Sequence, residues 1–108
     1  MADTYISNNM TLQQNEREIV SFDIWKEGIF HPVNVLKLSV YTGYDFIASP
    51  GQVYYELIHH EEDVDGSILE EIVANGWIPL TFQIVSTWGA DDQPIFDYVA
   101  QELSITLV

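Results

Sequence analysis

The stretch from Val53 to Gly76, VYYELIHHEEDVDGSILEEIVANG, gathers more chemistry-bearing residue types than any other part of the chain. Carboxylates at Glu61, Glu62, Asp63 and Asp65 lead into Gly66, and Glu70 and Glu71 follow. Two histidines, His59 and His60, stand immediately before them. Such a set could ligate a cation, move a proton, or present a negative surface to a basic partner. Each task demands its own spacing.

Calcium comes first. A twelve-residue calcium loop takes oxygens from positions 1, 3 and 5, a glycine at 6, and a bidentate Glu at 12. Glu61, Asp63, Asp65 and Gly66 match the opening, and Ile68 supplies an apolar residue two places after the glycine. The closing Glu fails: its place holds Ile72, and Glu71 comes one residue early. The run before the loop reads as a strand and not as a helix. An acidic turn is expected here, not an ion site. His59 and His60 cannot easily share a metal, because neighbours on a strand point to opposite faces. One packed and one solvated imidazole is the expectation, unless His31 or distant acids converge on them.

Catalysis finds little support. No nucleophile elbow, phosphate loop, metalloprotease helix or dinucleotide fingerprint is present. Paired carboxylates can cleave glycosides, but they need a cleft that a chain of 108 residues can barely enclose. Three cations leave little to stabilise an oxyanion. No catalytic, cofactor-binding or metal-ligating residue is therefore expected. The six acids Glu61, Glu62, Asp63, Asp65, Glu70 and Glu71 are assigned instead to a partner-binding acidic surface.

Charge sharpens that assignment. Seventeen Asp and Glu face only Arg17, Lys26 and Lys37, giving a net charge of −14. Affinity for a phosphate backbone comes mainly from Lys and Arg, so direct nucleic-acid binding and anionic membranes are expected to be excluded. A basic protein surface is favoured as a partner. Disorder is not the cause of the acidity, since 47 % of residues are apolar and there are three Trp, six Tyr and five Phe. No cysteine is present, which removes disulfides and thiolate chemistry. No apolar run approaches the roughly 20 residues that span a bilayer. The opening MADTYISNN lacks the basic region of a signal peptide, so a virion or cytoplasmic location is expected.

The elements that must position these residues can be read in order, as one domain over 1–108 with a polar arm at 1–17. Val20, Phe22 and Ile24 alternate with polar residues, which predicts a strand over 18–25. Residues 26–28 form a turn, and 33–41 the next strand. A glycine-containing turn is expected at 42–45, with Phe46 and Ile47 returning to the core. Ser49-Pro50-Gly51-Gln52 suits a type II turn, and 53–60 a strand that is apolar on both faces.

Ser67 and Glu70 then form a capping box, and Ile68, Leu69, Ile72 and Val73 share a face at helical spacing. Asn75-Gly76 supplies a left-handed stop. A short helix at 68–75 follows from those signals. Residues 77–87 read as a strand and 88–94 as a polar loop. Residues 95–103 fit either a helix capped by Asp92 or a long strand, with the strand preferred.

The fold class expected is a strand-dominated α+β domain of four to six mostly antiparallel strands with one short helix. Its aromatic load exceeds what one small sheet comfortably buries, and exposed apolar area marks interfaces. The expected function is non-catalytic: a structural or interaction protein, a subunit or accessory component of a larger assembly such as a phage virion or tail. Other protein subunits, a second copy included, are the expected partners. The alternative is an acidic inhibitor or nucleic-acid mimic that blocks a basic surface of a DNA- or RNA-handling protein or toxin.

Overall fold

The computed structural model describes residues 12–45, 49–87 and 92–108. Its centre is a four-stranded antiparallel meander in the order β1-β2-β3-β4. The strands are β1 (Glu16–Lys26), β2 (Ile29–Asp45), β3 (Ser49–Glu62) and β4 (Ile68–Pro79). Two helices follow, α1 (Phe82–Thr87) and α2 (Gln93–Leu103). The chain is strand-dominated α+β, as its alternation of apolar and polar residues implies.

Register explains the two faces. Directly paired residues share a face. Leu36 pairs with Leu57 and Val40 with Val53, while Leu57 pairs with Ala74 and Val53 with Ile78. These residues turn to one side, where Ile95, Phe96 and Val99 of α2 join them in the core. Fully burying an aliphatic or aromatic side chain contributes roughly 1.5–3 kcal/mol, so this stripe of α2 is a major part of the stability. The other face carries Lys37, Ser39 and Tyr41 beside Tyr54 and Glu56, then Asn75 and Trp77.

The first turn is the tightest. Lys26 pairs with Ile29, leaving a two-residue loop in which Glu27 (φ 56°) and Gly28 (φ 83°) are both left-handed. That is the type I′ geometry whose twist suits a hairpin. Three register shifts then interrupt the ladders, one in β1 between Glu18 and Phe22, one in β2 between Thr42 and Asp45, and one where β4 inserts Val73. A bulge leaves its extra residue out of the ladder. Here the Lys26 ammonium donates to the Val73 carbonyl at 3.0 Å, so the first hairpin is tied to the far strand.

The two outer edges differ. Along β1 the C-terminal residues form a short bridge, Ile19 to Leu107. Val20 N–H donates to Thr106 O (2.8 Å) and Val108 N–H to Glu18 O (3.1 Å). Along β4 no further strand lies among the described residues.

Several local expectations are corrected. No helix forms at 68–75; that stretch is β4. A two-turn helix is marginal alone, and eleven residue pairs with β3 outweigh the capping signals. Gly76 is not a helix stop: it lies opposite Tyr55, and a Cβ there would sit 2.7 Å from the ring hydroxyl. Residues 95–103 are helical, not strand. Pro94 suits the first turn of α2, and Ser104 closes it in the left-handed region at φ 58°.

The strand expected at 77–87 stops at Pro79. Thr81 Oγ1 then accepts from Ile84 N–H (3.1 Å) and caps α1. Strand β2 runs through 42–45, where a turn was expected. Likewise Ser49–Gly51 belongs to β3, although Gly51 does take positive φ (125°). Glu16 and Arg17, assigned to the arm, begin β1. Phe46, Ile47 and residues 88–91 lie outside the described residues, as does the arm before Leu12.

Candidate functional site

The β3–β4 hairpin holds all six of the acids singled out above, but in strand geometry. Glu61 and Glu62 close β3, Asp63 and Asp65 occupy the turn, and Glu70 and Glu71 stand on β4. Pairing sets His60 against Glu70, His59 against Glu71, Glu61 against Leu69 and Glu62 against Ile68. The acids therefore divide between the two faces and do not form one cluster.

The turn is held by its own backbone. Asp63 N–H donates to Ser67 O (2.8 Å) and Gly66 N–H to Asp63 O (3.0 Å). Gly66 adopts φ 90°, which glycine tolerates without strain. Ser67 N–H donates to Asp65 Oδ1 at 3.1 Å. That backbone bond, with one from the Ser67 side chain, holds the Asp65 carboxyl below its ordinary value of 3.8. Asp65 thus turns back on the loop, and Ile72, in the place of the closing calcium ligand, pairs with Ile58 in the sheet. Among the described residues no three His, Asp or Glu side chains are grouped to hold a metal.

His60 organises the other acids. It is buried, at 4 % exposure. Its Nδ1 lies 2.7 Å from Glu70 Oε2 and its Nε2 lies 2.8 Å from Glu62 Oε2. Asn34 secures the same residue through the main chain: its Oδ1 accepts from His60 N–H (2.8 Å) and its Nδ2 donates to His60 O (3.0 Å). Burial alone would lower the pKa of the ring. The hydrogen bonds and negative charges of Glu62 and Glu70 outweigh burial and raise it above 6.5.

Glu16 completes the group. It is 2 % exposed, and its Oε1 accepts from Gln13 N–H at 2.8 Å. Its Oε2 is buried without a hydrogen-bond donor. Burial, aided by the neighbouring Glu70 carboxylate, raises its pKa above 4.5, against the smaller opposing pulls of Gln13 and Lys37. Burial pushes Glu70 upward, but hydrogen bonds to His60 and Glu16, with the charges of His60 and Lys37, leave it below 4.5. The four groups stand in the order Glu16, Glu70, His60, Glu62. Both ring nitrogens are engaged, so this histidine braces the hairpin and has no nitrogen left over to serve as a base.

His59 points the other way, half-exposed, with Nε2 3.5 Å from Glu61 Oε2. His31 is far off in the first hairpin, its Nε2 3.1 Å from Lys26 O. The three histidines do not converge.

Exposed aromatic residues form two further patches that no motif announces. At the first hairpin tip Trp25 and Phe30 meet edge to face, with centroids 4.9 Å apart, and are 62 % and 63 % exposed. On the open sheet face Trp77 packs on Tyr54 (5.0 Å) and Tyr41 (5.3 Å). Two shallow clefts of about 240 Å³ each lie near the core, one beside Val20, Phe22 and Ile105, one beside Asn15, Asp92 and Phe96. Both are smaller than the usual small-molecule site. No described helix is long and apolar enough to cross a membrane.

No family model, curated protein or solved structure matches this chain.

Proposed function

We propose that the chain is a non-catalytic interaction protein, a subunit or accessory component of a larger protein assembly. The observation that carries this reading is the end of the β1–β2 hairpin. Trp25, Ile29 and Phe30 stand more than half exposed together there, and grouped apolar side chains of that kind mark protein contacts. Aromatic residues of this type dominate interface hot spots. A virion or tail component is a concrete form of the proposal, suggested by small size, acidity and strand content.

A second reading is favoured by the β3–β4 hairpin. Seven acids and no Lys or Arg lie between Glu56 and Glu71, a surface suited to an inhibitor of a basic, nucleic-acid-handling protein or toxin. The two readings separate by salt. Wild type and a Trp25→Ser/Phe30→Ser variant, immobilised side by side, are exposed to extract of the native source at about 0.05 M and about 0.5 M salt. The assembly reading expects one partner retained by wild type at both salts and lost by the variant. Retention that survives the substitutions and vanishes at high salt supports the inhibitor instead. A chain that retains nothing and stays monomeric by light scattering contradicts both.

A further inference from the structure

We propose that the outer edge of β4 along residues 68–72 receives an extended segment of a partner protein in which apolar and basic residues alternate. The proposal rests on the reading of the chain as a protein-binding one, and names its docking edge and the partner's chemistry. It starts from the asymmetry of the sheet. The C-terminal residues bridge to β1, whereas beyond β4 no described strand follows. An edge of unpaired main-chain groups is a template for another strand.

The bulge fixes how long the template is. Val73 interrupts the ladder, and its carbonyl is already bonded to Lys26. Residues 68–72 remain as a regular run of about 17 Å at roughly 3.3 Å per residue. Ile68, Leu69 and Ile72 within it are 48 %, 60 % and 49 % exposed.

Pairing with β3 shows what an added strand would meet. On one face Ile68, Glu70 and Ile72 align with Glu62, His60 and Ile58; on the other Leu69 and Glu71 align with Glu61 and His59. Glu70 is taken up by His60. The first face therefore offers two isoleucines to apolar side chains, and the second offers Glu71 to a basic one, Glu61 behind it being engaged by His59. Alternation of Val or Ile with Lys or Arg satisfies both.

A second copy of this chain fits poorly at the same edge. Any two-fold antiparallel pairing centred on residues 70 and 71 sets Glu70 or Glu71 against itself or against the other. Like charges directly opposite are destabilising, and each copy brings a net charge of −14.

The probe is an end-capped peptide of about eight residues alternating valine and lysine, long enough to cover the run. One control has the same composition in two blocks, and another replaces lysine by glutamate. Affinity is read by fluorescence anisotropy, and position by amide hydrogen exchange of the full chain. The expected result is slower exchange at residues 68–72 with the alternating peptide, and binding about tenfold tighter than either control. Glu71→Lys should weaken it about threefold to tenfold, with Glu71→Gln between. Equal affinity for the block peptide, or protection confined to the Trp25 and Phe30 tip, overturns the edge proposal. Absence of any peptide binding overturns it too. In all three cases retention of a native partner by wild type keeps the interaction reading intact, while loss of that retention as well removes the reading itself.

Discussion

At the scale of single residues, the buried group around His60 sets how the protein responds to pH. The ring is held charged above its ordinary 6.5. Its contribution is complete below about 6.5 and disappears as pH rises through the elevated folded-state value. Glu16, raised from 4.5, acts in the same direction from a lower starting point. Glu70, depressed from 4.5, contributes above that value and loses its contribution as acid takes the pH down through the lowered one. The melting temperature should therefore peak in mildly acidic solution and fall as pH rises above about 6.5.

His60→Asn should flatten that alkaline fall and cost about 1–2 kcal/mol near pH 6, by removing the partner of the part-exposed Glu62 and Glu70 carboxylates. Thermal unfolding across pH checks both, and an unchanged profile in the variant contradicts the network. Gly76→Ala tests a second contact. The Tyr55 ring lies where the new Cβ would go, so a loss of about 1–3 kcal/mol is expected in urea unfolding. The acids and the separate faces of His59 and His60 were legible in the sequence, because strand alternation is strictly local. Glu16 and Asn34 were not. They reach Glu70 and His60 from strands distant in sequence, which no local pattern announces.

Among elements, β4 teaches most. Ser67 and Glu70 carry a genuine capping signature, and Ile68, Leu69, Ile72 and Val73 fit a helical stripe. The same four positions also fit a strand once Val73 is a bulge, since that one extra residue shifts the faces after it. Capping is worth about 1 kcal/mol, far less than a full ladder with β3. Helix α2 erred in the other direction: Ile95, Phe96, Val99 and Ala100 are its buried residues, a 3.6-residue stripe that a strand reading had to stretch.

A turn at residues 26–28 between two strands was readable from alternation and punctuation alone, but its type I′ geometry and the start of β2 at Ile29 were not. Two ties between elements can be measured. Lys26→Met removes the donor to the Val73 carbonyl and should cost about 1 kcal/mol, with faster amide exchange around Val73. Removing residues 105–108 uncovers the β1 edge. The shortened chain should melt lower and associate more readily at high concentration, and unchanged melting and light scattering would contradict the role given to that bridge.

Over the whole molecule, two surfaces of different character share one small sheet. One is greasy and aromatic, at the first hairpin; the other is densely anionic, at the second. The net charge was open to inspection from the start, but the placing of these surfaces was not, since it depends on the order in which the strands pair. On the function proposed above, these two surfaces are where contacts with other chains would form. The most direct measurement is the size at which the 12.4 kDa chain travels in a fresh extract of its native source, followed by antibody through size-exclusion chromatography. The account predicts elution well above the monomer position, unchanged when Trp25 and Phe30 are intact and shifted to the monomer position when both become serine. Elution of the intact chain at the monomer position in low and high salt alike would contradict it.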